Sequence, residues 1–106
     1  MSIISERFIH QLQRIVLLNH CELKMRHDDH NAVVWNHFRH TVEEVGEMAC
    51  ALRGRNDEPL ANEAVDTAIC ALAVALLENG GEVEAITEVM EQKLDKWQRR
   101  VEKELP

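Results

Sequence analysis

The sequence predicts an all-α protein with a four-helix, bundle-like architecture. Apolar residues recur at three- and four-residue steps through four segments, which is the period of an amphipathic helix. Strand signals are absent, and 106 residues with four Gly and two Pro hold little material for the many turns of a β-protein. The length suits one domain, so we expect residues 1–106 to form a single unit.

The first two helices are predicted at about residues 5–25 and 32–52, with a polar break between them. The second helix carries an apolar stripe along one face, made of Val34, Phe38, Val42, Val45, Ala49 and Leu52. The segment that follows it, RGRNDEP at residues 53–59, contains both a Gly and a Pro. This composition predicts a loop.

The third helix is predicted at about residues 60–78 and is apolar nearly all round its second half. Such a helix is typically buried on several sides. Asn79-Gly80-Gly81 is expected to end it with a left-handed residue. The fourth helix, at about residues 82–105, has the most regular apolar stripe: Val83, Ile86, Val89 or Met90, Leu94, Trp97, Val101 and Leu105.

The net charge of −7 argues against a nucleic-acid or anionic-membrane binder, since either needs a basic face. The longest uncharged run, residues 67–77, has 11 residues and is too short to span a bilayer. Cys21, Cys50 and Cys70 lie within apolar helical patterns, so we interpret them as buried free thiols in a reducing cytosol. With an N-terminus unlike a signal peptide, these features predict a cytoplasmic protein.

Acidic residues cluster on the two central helices. Glu44 and Glu47 lie three residues apart, and Glu43 and Glu47 lie four apart, so these carboxylates share a helix face. Glu63 and Asp66 share a face of the third helix. Fifteen residues separate Glu47 from Glu63, which is enough for an antiparallel hairpin. We expect both acidic pairs near the loop, facing each other across that hairpin.

Such carboxylates repel one another, so they must stay apart in solvent, take up protons or bind a cation. Hard oxygen ligands favour Mg²⁺, with Mn²⁺ as a possible substitute. An isolated ExxE on a helix is usually only a solvated face. Two such pairs on adjacent helices, the second at the start of a buried helix, favour a metal site.

The order EExxE, fifteen residues, ExxD resembles the MazG-like all-α nucleoside triphosphate pyrophosphohydrolases. The flanking stretches TVEEVGEMACAL and NEAVDTAICAL are also similar to that family's two metal-binding helices, and the resemblance covers mainly residues 40–80. It implies a MazG fold of helical hairpins that associate into a homodimer or homotetramer. The apolar surface of the third helix is more than one hairpin can cover, so either the first and fourth helices or another subunit must cover it.

The resemblance also implies the chemistry. MazG-like proteins hydrolyse NTPs or dNTPs between the α and β phosphates, releasing a nucleoside monophosphate and pyrophosphate. Glu44, Glu47, Glu63 and Asp66 match the family's Mg²⁺ ligands, and deoxynucleotides or noncanonical nucleotides are the expected substrates. Glu43 is the spare carboxylate and a candidate for orienting or deprotonating the attacking water.

A triphosphate needs cationic ligands beyond the metal. Lys93, Lys96 and Arg100 lie on one side of the fourth helix around Trp97, and Lys93 is the strongest candidate for a phosphate contact. The alternative is that these charges solubilise the helix end and complement its dipole. Trp35 is a candidate for stacking on the nucleobase, although Trp35 and Phe38 are more typical of a core.

Two other functions compete with hydrolysis. A ferritin-like di-iron bundle needs Glu-x-x-His pairs, and neither Glu44 nor Glu63 has a His three residues later. The histidines around His37 and His40 also lack the spacing of a structural zinc site. A non-enzymatic helical module would use the acidic face to bind a basic partner. In that case Glu47→Gln would leave the fold and the metal response unchanged.

Overall fold

The computed structural model describes residues 6–27 and 30–106, and within these ranges it contains four helices and no strand. The helices are α1 (Glu6–His27), α2 (His30–Leu52), α3 (Leu60–Glu78) and α4 (Val83–Glu104). The all-α prediction is therefore confirmed, and the predicted helix boundaries agree with the observed ones to within two residues. The thiol of Cys21, which was predicted to be buried, belongs to a part of α1 whose side chains lie outside the described residues.

The α2–α3 hairpin turns through a glycine-based cap. The backbone N–H of Arg55 donates to the carbonyl of Cys50 at 2.9 Å, and that of Gly54 donates to Ala51 at 3.0 Å. These two bonds form a Schellman motif, which requires a left-handed residue, and Gly54 supplies it with φ of 69°. Pro59 then leads into α3 in an extended conformation. The loop between the helices consequently stays short and returns the chain antiparallel.

The end of α3 uses the same motif. The N–H of Gly81 donates to the carbonyl of Leu76 at 2.7 Å, and that of Gly80 donates to Leu77 at 3.3 Å. Gly80 has φ of 64°, so the predicted left-handed stop is confirmed. The side chain of Gln13 on α1 donates to the carbonyl of Gly81, which fastens α1 to this turn.

The hydrophobic core lies at the end of the hairpin opposite the 53–59 loop. Each helix contributes to it, and its buried members are Ile9, Leu12, Val16, Val33, Ala73, Leu76, Leu77, Val83 and Ile86. Because α4 enters the core only through its first turns, the rest of that helix is mostly exposed, with Met90 packed against the core's edge. The acidic end of the hairpin thus has little apolar support from α1 or α4.

The apolar stripe of α2 faces away from the rest of the chain. The covered side of this helix is Val33, His37, Thr41, Glu44, Met48 and Ala51, which is the predicted stripe shifted by one residue. Phe38 and Val42 are 48% and 54% exposed, and Trp35 is 67% exposed. The interpretation of Trp35 and Phe38 as core residues is therefore wrong for the single chain. The one-residue rotation turns Glu44 inward and the large apolar side chains outward.

Helix α3 is less enclosed than its composition indicates. By length and composition alone it is the one helix among the described residues that is apolar enough to cross a membrane, a test that core helices of soluble proteins also pass. Its buried residues are Glu63, Ala73, Leu76 and Leu77. Cys70 is half-buried and Cys50 is exposed, and both are free thiols. The prediction of a buried thiol is wrong at Cys50, because that residue lies on the outward side of α2.

The chain is extended for its length. Its radius of gyration is 15.9 Å, whereas a compact domain of this size has about 13 Å. Its accessible surface is 8225 Å², whereas a compact monomer of the same mass exposes about 6,100 Å². The exposed faces of α2 and α4 contribute to this difference.

Candidate metal centre

Three carboxylates from the two hairpin helices meet near the loop. One oxygen each from Glu44, Glu63 and Asp66 lies within 4.8 Å of the others. Antiparallel packing explains why they meet. The end of α2 and the start of α3 both lie next to the loop, so residues near these two ends face each other across the hairpin. Glu63 is buried, with 4% of its surface exposed, while Glu44 and Asp66 are half-buried. The structure thus brings together three of the four predicted metal ligands.

The fourth predicted ligand, Glu47, is joined to the cluster through a loop residue. The side-chain nitrogen of Asn56 donates to Glu47 Oε2 at 2.9 Å and to Glu63 Oε1 at 3.1 Å. Asn56 Oδ1 in turn accepts a hydrogen bond from the backbone N–H of Glu58 at 3.3 Å. Glu47 itself is exposed. A single amide therefore links carboxylates that belong to opposite helices.

The environment of Glu63 favours its neutral form and raises its pKa to about 7. The largest cause is a hydrogen bond with the carboxyl group of Glu58, which requires a proton between the two groups. Burial contributes next, because it penalises the charged form, and the negative charges of Glu58, Asp66 and Glu47 add to it. The metal-free cluster consequently holds a proton below pH 7 and about half a proton at pH 7.

Asn56 and Glu58 were not identified from the sequence. Both lie in RGRNDEP, a segment whose composition predicts only a loop. The available signal was their position, since a short loop between two acidic pairs must place its polar side chains close to those pairs.

The negative charge of the cluster also affects Cys70 on α3. Burial and the charges of Glu44 and Asp66 raise the pKa of this thiol.

Glu43 lies outside the three-carboxylate cluster. Its Oε1 is 3.9 Å from Arg39 Nε, and its Oε2 is 3.6 Å from His40 Nδ1. Both partners belong to α2, one turn before Glu43, and all three side chains are largely exposed. The structure thus places Glu43 against basic side chains of its own helix.

The basic residues of α4 do not reach the carboxylates within one chain. Lys93, Lys96 and Arg100 are exposed and share a shallow surface hollow with Trp97. In the described part of the chain, α4 contacts α1 and α3 near their ends but does not contact α2. Among the described residues, no ion pair joins these cations to the clustered carboxylates.

Trp35 is also separated from the cluster in the single chain. Its ring packs edge-to-face on Phe38, with the ring centroids 5.6 Å apart. Trp35 precedes Glu44 by nine residues, or about two and a half helical turns, so the two side chains leave opposite sides of α2.

The cluster suits a small divalent cation. Its donors are all carboxylate oxygens, the hard ligands that Mg²⁺ and Mn²⁺ prefer. Ligand oxygens on one such ion are at most about 4.2 Å apart, twice a bond of about 2.1 Å. The three oxygens lie within 4.8 Å of one another, so the side chains have to move closer together before all three can bind one ion.

The chain matches no family model, no curated protein and no solved structure. The resemblance to MazG-like hydrolases therefore depends on the residues of the two acidic motifs and their flanking stretches.

Proposed function

We propose that this protein is a Mg²⁺-dependent nucleoside triphosphate pyrophosphohydrolase that acts on deoxynucleotides or noncanonical nucleotides in the cytoplasm. The observation that carries the proposal is the meeting of Glu44, Glu63 and Asp66 near the hairpin loop. These residues come from the two motifs whose order and spacing resemble the MazG-like pattern. An ordered motif and a spatial cluster of the same side chains together favour this function over a solvated acidic face.

In this proposal the three clustered carboxylates hold the cation, and Glu47 joins them from the exposed side. A bound Mg²⁺ supplies neutralisation of phosphate charge and lowers the pKa of a coordinated water. Glu63 must lose its proton before it can bind, so the side chain of Glu58 has to release the hydrogen bond that it shares with Glu63. Glu43 would orient water only after leaving Arg39 and His40.

The phosphate-binding cations are proposed to come from a second copy of the chain. Lys93, Lys96 and Arg100 are remote from the cluster of their own chain, and in the proposed homodimer or homotetramer another α4 would have to lie within reach. The chain exposes roughly 2,000 Å² more than a compact monomer of its mass. Stable dimers bury areas of this order, and the outward stripe of α2 offers an apolar surface for it. Trp35 lies on that stripe and is proposed to stack on the nucleobase.

The decisive experiment is a panel of NTPs and dNTPs, with and without Mg²⁺, assayed for pyrophosphate and orthophosphate separately. We expect Mg²⁺-dependent pyrophosphate release from at least one nucleotide. Glu44→Gln should abolish it while the helical circular dichroism is retained, because one ligand charge is lost without a change of shape. No pyrophosphate from any nucleotide would refute the proposal, and orthophosphate alone would indicate cleavage of a different bond.

The same variants separate hydrolysis from a non-enzymatic acidic module. In a module nothing is coordinated, so Glu47→Gln would leave a Mg²⁺-induced thermal shift unchanged. A metal-dependent hydrolase requires that the shift decrease in this variant. Gln11→Glu, at an exposed position of α1, serves as a control for the effect of a changed surface charge.

A further inference from the structure

Asn56 is the one loop residue whose side chain bonds to both helices of the hairpin in the described structure. Its amide nitrogen contacts Glu47 on α2 and Glu63 on α3, and its oxygen accepts from the backbone of Glu58. The bond to the backbone fixes which end of the amide faces the acids. Both N–H donors are therefore directed at carboxylate oxygens.

An amide differs from a basic side chain in this position. A lysine here would partly neutralise the carboxylates and compete with a cation, whereas the neutral amide adds no positive charge. The exposed side chain of Glu47 would otherwise sample several rotamers, each of which must be given up when it binds an ion. The hydrogen bond to Asn56 restricts that freedom before any ion arrives.

We propose that Asn56 is a positioning residue for the metal centre, holding Glu47 beside Glu63 so that it can act as the fourth carboxylate. The inference rests on the proposed divalent-cation site and adds to it a residue that the acidic motifs do not contain. Asn56 acts through Glu47, because Glu63 is already fixed by burial within α3. Residues that orient metal ligands typically change metal affinity by about 10- to 100-fold when they are removed.

The test is Mn²⁺ binding followed by electron paramagnetic resonance, in a cycle of the wild type, Asn56→Ala, Glu47→Gln and the double variant. We expect Asn56→Ala to weaken Mn²⁺ binding about tenfold or more. In the Glu47→Gln background the same substitution should have a much smaller effect, because the ligand that it positions is already lost. Asn62→Ala provides the matched control, since Asn62 is exposed in the first turn of α3.

A residue that only stabilises the loop would lower the melting temperature without changing Mn²⁺ affinity in the folded protein. Equal affinity of Asn56→Ala and the wild type would overturn the inference and leave the metal centre standing. An equal weakening in both Glu47 backgrounds would also overturn it. If the wild type and all variants bind no Mn²⁺, the proposed function fails together with the inference. Asn56→Ser, which is too short to bridge, replaces Asn56→Ala if that variant does not fold.

Discussion

Binding of a divalent cation to the cluster should release a proton, and the amount should depend steeply on pH. Glu63 has a pKa of about 7 in the metal-free protein because it shares a hydrogen bond with Glu58 and is buried. A cation binds the ionised carboxylate, so any proton present on Glu63 must leave. The expected release is about 0.9 proton per site at pH 6, about 0.5 at pH 7 and about 0.1 at pH 8.

The assay is isothermal titration calorimetry with Mn²⁺ at these three pH values, each in two buffers of different ionisation enthalpy. The difference in apparent enthalpy between the buffers gives the number of protons released. Mn²⁺ affinity should fall about tenfold between pH 8 and pH 6, because the proton and the cation compete for the same oxygens. Glu43→Gln is the matched control and should reproduce the wild-type proton release, since Glu43 faces Arg39 and His40.

Two results would refute this reasoning. Binding at pH 6 with no buffer dependence would mean that Glu63 is already ionised or is not a ligand. Tight binding by Glu63→Gln with unchanged proton release would mean that the proton comes from another group. Because Glu63→Gln keeps an acceptor oxygen for Asn56, its loss of binding is not explained by collapse of the loop.

Three further outcomes are expected. In EDTA, thermal melting should show that the wild type gains most stability over Glu63→Gln below pH 4.5. This advantage should fall as the pH rises to about 7 and then level off. The reason is that the pKa of Glu63 is higher in the folded than in the unfolded chain, so the folded protein binds more protons in this range. If the proposed oligomer forms through the outward stripe of α2, Val42→Asp should convert it to monomer in light scattering, whereas Gln11→Asp, on exposed α1 surface, should not. Leu76→Ala, at a fully buried site, should cost about 2–5 kcal/mol in urea unfolding, and Leu105→Ala, 65% exposed, much less.

The helices and their ends could be predicted because local chemistry determines them. Gly54 and Gly80 adopt the left-handed conformation that ends α2 and α3. In the sequence, each of them follows shortly after a segment with helical periodicity, which is the usual position of such a glycine. The spacing of the acidic pairs was also sufficient to predict that Glu44 and Glu63 face each other. Each of these inferences needs only the helical period and the antiparallel packing of α2 against α3.

The orientation of α2 could not be predicted in the same way. Its residues form two parallel stripes, one led by Val33 and one by Val34, that differ by a rotation of about 100°. The more apolar stripe is the natural choice for the core of a single chain, yet it faces outward. A sequence pattern indicates which apolar side chains are expected to be buried. It does not show whether they are buried against the same chain or against another one. The contacts of Asn56 were missed for a related reason, because they depend on the path of the loop.

The position of the acidic cluster explains why the fold tolerates it. The buried core is centred on Val33 and Leu76, and Glu44 lies 11 residues beyond Val33, about 16 Å further along α2. At that distance the repulsion acts on the loop end of the hairpin, where Gly54 and Asn56 hold the chain by hydrogen bonds, and not on the packing that defines the fold. Below pH 7 the proton on Glu63 removes one charge in the absence of an ion, and a cation bound at the proposed centre would replace that proton. If the proposed metal centre is correct, the cluster would exchange a proton for a metal ion while the core at the other end of the hairpin remains unchanged.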